Sequence, residues 1–407
     1  MKKMDFLPVI IGSDDNGYGA ARAIHEQYGI KSIVVTRKDI LPTMHSKIIE
    51  KMYIDDLENI DTFAQNLTKV YEKYSKRAEK LVLIACNENY AELIIRNAEK
   101  LKSMYLLPFV SEELMDQIMY KENFYDMCEQ YNLDYPKTVV VRKGMNVESE
   151  LELPFDFPVV LKASDSVSYF SAQFKGKEKA YIIDDRKTLI DTIHLIYNSS
   201  YEDSLIIQEY IPGKDDSMRV INAYVDKNHK VRLIAVGQVV LEDCTPIMLG
   251  NYVSIVADYD KELYDQYVKF LEEIKFTGFA NIDLKYDERD GKYKIFELNI
   301  RQGRSSYFVT ASGYNIMKYM IDDLVYNKPH QLDYGDGEVL WHSVPKSIVK
   351  KYVTNPRLKK KVNDLISQKK TASTLYYKKD FNVLRYLKLY NFYRSYHERF
   401  RKYFKHD

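Results

Sequence analysis

The sequence has 407 residues, 45% hydrophobic and 29% charged, with a formal net charge of +1 and three cysteines. This length allows two or three domains with real cores. The near-neutral charge removes any global electrostatic case for nucleic acid, and no apolar run approaches the roughly 18 to 20 residues of a membrane span. Cys86, Cys128 and Cys244 lack metal spacing and are odd in number, so a reducing cytoplasm is expected rather than a disulfide framework. Residues 1–8 are too brief for a signal sequence and run straight into a strand.

The apolar run over 7–11, the turn from Gly12 to Gly19, the helical pattern from Ala20 and the strand Ile33-Val-Val35 make a βαβ opening. A dinucleotide fingerprint would need a small residue where Arg22 stands, which argues against NAD. The turn is either structural, or its helix N-terminus holds an anionic substrate group. A second buried strand, over 81–85, ends in Cys86-Asn-Glu-Asn-Tyr90, at the strand end where open α/β sheets bind ligands. This unit is expected to close near residue 110.

Residues 111–135 carry a helical pattern that includes Lys121 and breaks at Pro136. Strands follow over 138–141 and 157–162. Lys162 ends the second and faces a hydroxyl-rich loop containing Ser164 and Ser166, an arrangement suited to phosphate unless the lysine is an ordinary surface residue. After a helix near 187–198, Gln208-Glu209-Tyr210-Ile211 runs into Pro212-Gly213, and its extended backbone offers groups that can read a purine edge. Asp215 and Asp216 lie just beyond, within reach of a ribose. Strands over 219–225 and 231–240 and a helix near 259–274 lead to a hairpin. Its first strand carries Asp283; its second carries Glu297 and Asn299, two apart and therefore on one face, offering hard oxygen ligands for magnesium. Arg301 and Arg304 follow, and two guanidinium forks beside such a site suit a phosphoryl group.

Taken together, a lysine before a helix, a lysine ending Val-Val-Leu-Lys162, the Gln208–Gly213 hinge, the Asp283 strand and the Glu297-x-Asn299-x-Arg301 strand resemble the ATP-grasp superfamily of carboxylate–amine ligases over about residues 5 to 325. Within it, Ile10-Ile-Gly-Ser-Asp14, Tyr90-Ala-Glu-Leu-Ile94 and Tyr135-Pro-Lys-Thr138 are similar to D-aspartate ligases of Gram-positive bacteria. The resemblance implies an α/β chain: a Rossmann-like pre-ATP-grasp domain over 1–112, then a two-lobed ATP-grasp module with a central lobe over 113–205 and a C-terminal lobe with the metal site over 206–330. It implies ATP with two magnesium ions. Lys121, Lys162, Ser164 and Ser166 would sit on the phosphates, Gln208, Glu209, Tyr210 and Ile211 on the adenine, and Asp215 or Asp216 on the ribose. Asp283, Glu297 and Asn299 would hold metal, while Arg301, Arg304 and Lys162 would act in the chemistry. The implied reaction joins the β-carboxylate of D-aspartate to the lysine ε-amine of a cytoplasmic peptidoglycan precursor, in a homodimeric enzyme. Another amino acid or carboxylate joined to an amine, on a cell-envelope polymer for example, remains the alternative. D-alanine–D-alanine ligases carry an arginine where this chain has Asn281, which lowers the weight of that assignment. A mobile lid is expected over 164–174.

Residues 331–407 change character: aromatics alternate with Arg and Lys in what reads as a basic, tyrosine-rich helical extension. It either packs on the body through its tyrosines or makes peripheral contact with an anionic membrane surface.

Overall fold

The computed structural model describes residues 3–404 except 165, 249 and 329, and leaves the side chains of residues 166, 167, 170 and 247 undescribed. Four parallel strands, β1 (Met4–Ile11), β2 (Ser32–Thr36), β3 (Ile49–Tyr53) and β4 (Ala78–Ala85), form a first sheet in the order β3-β2-β1-β4. Alternate residues of β1 enter two separate cores: Leu7, Val9 and Ile11 one, Phe6 and Ile10 the other. A parallel strand buried on both faces reads as continuous apolar sequence for this reason. The helix Asp15–Tyr28 starts where Asp14 accepts the N–H groups of Asn16 and Gly17 at 2.9 and 3.0 Å, and stops at Gly29, whose φ of 69° lies in the left-handed region.

A smaller antiparallel sheet follows, from β5 (Thr138–Val141), β6 (Val159–Ala163), β7 (Tyr181–Ile183) and β8 (Leu205–Glu209) in the order β5-β8-β6-β7. It has its own core, closed by Leu189, Ile193 and Ile196 of the helix Arg186–Tyr197. The third sheet holds β9 (Met218–Val225), β10 (Val231–Glu242), β11 (Tyr252–Asp258), β12 (Gly278–Asp287) and β13 (Lys292–Asn299). Three short strands from beyond residue 330 join it: β14 (Asp333–Tyr334) beside β10, β15 (Leu340–His342) beside β11, and β16 (Thr371–Ala372) on the outside. The stretch expected as a helical extension thus supplies strands as well.

The last helix, Val383–Tyr403, buries Leu389, Tyr393, Tyr396 and Phe400 against the body. Arg385 anchors it. This side chain is 1% exposed, donates to the carbonyls of Pro42 and Met44 at 2.7 and 3.1 Å, stacks on the Tyr18 ring, and lies 3.3 Å from Asp380, itself fully buried. Tyr18 and Ser46 both donate to Asp380. A buried charge pair of this kind is costly to break from one side, because the surviving charge has no solvent to turn to. Replacement of Asp380 by Ala is expected to destabilise docking of the last helix by about 3–5 kcal/mol, seen as a lower melting temperature and as faster amide exchange over 383–403 before the rest of the chain.

Candidate functional site

The β12–β13 hairpin pairs Asp283 directly with Glu297, and Asn281 with Asn299. Directly opposed side chains share one face of the sheet, so two carboxylates and two amides meet there. Burial and the neighbouring Glu297 push the Asp283 carboxyl up to about 7. Tyr252 donates its hydroxyl to Asp283 Oδ1 at 2.9 Å. The Glu297 side chain is half exposed, with protein packed around it. Crowding disfavours its charge, but Lys121, Lys162 and Arg301 outweigh this and hold its carboxyl below the usual range. Lys121 Nζ lies 3.6 Å from Glu297.

Lys162 comes from the other lobe, at the end of β6. Its Nζ donates to Gln208 Oε1 at 3.0 Å, and Gln208 Nε2 donates to Tyr125 at 2.9 Å, so the glutamine side chain fixes the lysine. Burial, with Lys121 nearby, lowers the Lys162 pKa to about 8. Lys179 adds further positive charge toward both Glu297 and Lys162. Cations therefore converge on two carboxylates from two lobes, an arrangement that suits a polyanion bridged by metal.

Among the described residues no three His, Cys, Asp or Glu side chains cluster as a metal cage. The donor set still fits a hard divalent cation that takes its remaining oxygens from a nucleotide. Two like charges side by side, one with its carboxyl raised, are what such a cation relieves. Asn299 Oδ1 accepts from Arg301 Nη2 at 3.0 Å, and its second lone pair stays available.

The hinge after β8 is half engaged. Glu209 accepts from Arg289, in the hairpin turn, at 2.7 Å, and from the Lys137 amide at 3.3 Å. Among the described residues, the amides of Tyr210 and Ile211 take no protein acceptor. Lys285 Nζ lies 5.7 Å from the centre of the Tyr210 ring. Asp215 and Asp216, inseparable in the sequence, diverge in space. Asp215 accepts the Glu242 amide at 2.9 Å, within a group that includes Glu242 and Lys285. Asp216 accepts from Asn355 at 2.6 Å. Burial and Asp215 push the Glu242 carboxyl up to about 7. Ser164 is exposed, its hydroxyl 3.5 Å from that of Tyr201, and the Ser166 side chain lies outside the described residues. The expected lid contains a short helix, Ser166–Ser171.

Beyond Asn299 the chain turns toward the first sheet. Asn16 Nδ2 donates to the carbonyls of both Cys86 and Gln302, at 2.6 and 2.8 Å. Arg301 lies 3.4 Å from Glu88, and Arg304 makes two contacts to Asp15 Oδ2, at 3.2 and 3.0 Å. Asn281 sits beneath this crossing. Its amide donates to Asn222 Oδ1 at 3.2 Å, and Ser306 donates to the same oxygen at 2.7 Å. Where D-alanine–D-alanine ligases carry an arginine, this asparagine supports the chain that holds Arg301 and Arg304. Glu88, Lys179, Glu242, Tyr252 and Lys285 went unnoticed in the sequence. Glu88 alone carried a signal, being in the polar segment that ends β4.

No family model matches the sequence. A D-aspartate ligase of Enterococcus faecium (strain Aus0004) is 41% identical over 408 residues, covering 98% of this chain and 97% of that protein. Among solved structures, the N5-carboxyaminoimidazole synthetase of Staphylococcus aureus complexed with ADP has a TM-score of 0.59 at 14% identity, covering 83% of this chain and 82% of that one. An L-amino acid ligase from Bacillus licheniformis has a TM-score of 0.56 at 15% identity, covering 80% and 75%. The biotin carboxylase domain of Hydrogenobacter thermophilus 2-oxoglutarate carboxylase, in complex with MgADP and bicarbonate, has a TM-score of 0.59 at 15% identity, covering 82% and 72%. These structural likenesses are likenesses of fold.

A Cβ on Gly303 would fall 2.6 Å from Asn281 Nδ2 and 2.7 Å from its Cγ. Gly303→Ala is therefore expected to push the Arg301–Arg304 segment off its support and lower turnover by about 100-fold, the cost of misplacing a reacting group by about 1 Å. Steady-state kinetics beside a circular-dichroism melt check this, the fold being expected to survive.

Proposed function

Because the chain belongs to the D-aspartate ligase family of ATP-grasp carboxylate–amine ligases, we propose that it activates the β-carboxylate of D-aspartate with ATP and joins it to the lysine ε-amine of a peptidoglycan precursor in the cytoplasm. The observation that carries this reading is the convergence of Lys121 and Lys162 on the Asp283–Glu297 pair. A free carboxylate is a poor electrophile. One of its oxygens attacks the γ-phosphorus of ATP, ADP departs, and the resulting acyl phosphate has a good leaving group. The amine then adds to the acyl carbon, phosphate leaves, and the nitrogen loses a proton.

Lys121 and Lys162 offset phosphate charge, and Arg301 faces the oxygen on which charge develops. Arg304 stands behind it. Asp283, Glu297 and Asn299 would hold magnesium, which when bound neutralises phosphate charge during phosphoryl transfer. The backbone at Tyr210 and Ile211 reads the adenine, and the Asp215–Glu242 group faces the ribose. Support for ATP as the nucleotide comes from the ADP carried by the Staphylococcus aureus synthetase.

Peripheral membrane contact belongs to the same reading. No helix among the described residues is long and apolar enough to cross a membrane. On the last helix and the residues before it, however, Phe381, Val383, Leu384, Leu387 and Tyr390 are more than half exposed. Exposed Lys378, Lys379, Lys388, Arg394, Arg401 and Lys402 surround or continue this patch, against one exposed acid, Glu398. An apolar surface rimmed by cations suits an anionic bilayer.

A coupled ADP assay with amino acids of both chiralities and a lysine-bearing muropeptide precursor tests the reaction. ADP release should require D-aspartate and precursor together; better support from another amino acid defeats the substrate assignment and leaves the ligase fold standing. Glu297→Gln is expected to abolish ADP formation without unfolding the chain. Co-sedimentation with phosphatidylglycerol vesicles should fall at least tenfold in a Lys388→Glu, Arg394→Glu double variant whose ligase activity in solution is retained.

A further inference from the structure

Arg301 and Arg304 are three residues apart and differently engaged. Arg301 turns toward the hairpin, giving one N–H to Asn299 and another to the Gln302 carbonyl at 3.1 Å. Arg304 turns the other way, toward the start of the helix Asp15–Tyr28, where Nε and Nη2 both contact one oxygen, Oδ2 of Asp15. This pair is largely enclosed, with the two side chains 28% and 14% exposed. A tie of purely structural purpose reaches its greatest strength as a fork, each guanidinium nitrogen on its own oxygen. Here both bonds converge on Oδ2. Among the described residues, neither Arg304 Nη1 nor Asp15 Oδ1 has a hydrogen-bond partner. Close by, Arg301 Nε and Gln302 Nε2 are buried without acceptors among the described residues. Tyr393 and Tyr396 of the last helix lie near enough for the Asp15 charge to act on both hydroxyls, and Arg304 acts on that of Tyr396.

An α-amino acid presents an ammonium and a carboxylate on one carbon. Asp15 and Arg304 present a carboxylate and a guanidinium side by side, the charge complement of that head group. We propose that the Asp15–Arg304 pair is the receptor for the amino-acid head, Asp15 taking the α-ammonium and Arg304 Nη1 the α-carboxylate, so that the side-chain carboxylate alone extends to Arg301 and the hairpin. This assignment rests on the ligase reading above and adds what it lacks, the reason one of two chemically similar carboxylates is activated. The α-carboxylate is held at Arg304, on the first-sheet side of Arg301 and away from Lys162. Asn16 fixes the separation, since one amide nitrogen joins the loop after β4 to the Gln302 carbonyl and leaves little freedom between the β1 loop and the arginine segment.

Deleting groups from the substrate tests this against deletions from the protein. β-Alanine is aspartate without its α-carboxylate, and succinate is aspartate without its ammonium. For wild type, Arg304→Gln, Arg304→Lys and Asp15→Asn, kcat/KM is measured by ADP release with each compound in the presence of acceptor. Kd from titration calorimetry replaces it for any compound turned over too slowly to measure. Arg304→Gln should lower the D-aspartate to β-alanine ratio roughly 30-fold or more, as expected for loss of one partner of an enclosed charge pair. Arg304→Lys should recover part of the ratio, keeping charge and losing the fork. Asp15→Asn should lower the D-aspartate to succinate ratio by a similar factor. Equal losses on all three compounds, with the ratios unchanged, would assign the pair to structure alone and overturn the proposal. Wild-type protein that fails to release ADP with any α-amino dicarboxylate overturns the ligase reading itself, a different result.

Discussion

Two carboxylates held opposite one another across a hairpin cannot both stay charged unless cations are brought to them. The register that sets Asp283 against Glu297 is therefore the constraint on which the site depends. Everything around the pair answers it: Lys121 from the helix that opens at that residue, Lys162 from the end of β6, Arg301 from the strand's own continuation. Three segments distant in sequence are tied to one electrostatic demand. Without the cations, burial would leave the pair protonated and the hairpin an ordinary edge of the sheet.

A row of amides carries the load beneath that charge. Asn222, Asn281 and Asn299 stand side by side on β9, β12 and β13, and Ser306 returns to the first of them. Buried amides stabilise a structure only when their donors and acceptors are matched. Here Asn281 and Ser306 both donate to Asn222 Oδ1, while Asn222 Nδ2 is buried with no acceptor among the described residues. Gly303 passes so close to this row that a Cβ there would fall 2.6 Å from Asn281 Nδ2.

Much of this was legible in the sequence, for reasons that differ by residue. Strand alternation put Glu297 and Asn299 on one face, and the Asp287–Gly291 turn brought Asp283 opposite them. Local periodicity suffices for both. The ATP-grasp fold was legible through the order of its motifs, which no single motif secures. Tyr252 and Lys179 were invisible because each reaches the site through a long-range contact that leaves no local pattern. Asp215 and Asp216 could not be separated, since adjacent side chains in a 3-10 turn point apart only once the turn is built. The stretch after residue 330 read as helix because its tyrosines and basic residues dominate; the two- and three-residue strands β14 to β16 are too short to show a period of two.

The bond from Asn16 to both Cys86 and Gln302 has a mechanical consequence. It clamps the first sheet to the end of the β12–β13 hairpin, and Arg385 clamps the last helix to that same body. These parts make one fixed jaw. Among the described residues the β5–β8 sheet, with a separate core and Lys162 at its rim, is the sheet that neither clamp holds. It meets the hairpin turn through the Arg289–Glu209 contact, so a shift of this sheet would change the distance from Lys162 to Glu297 and leave the Asn16 and Arg385 clamps intact.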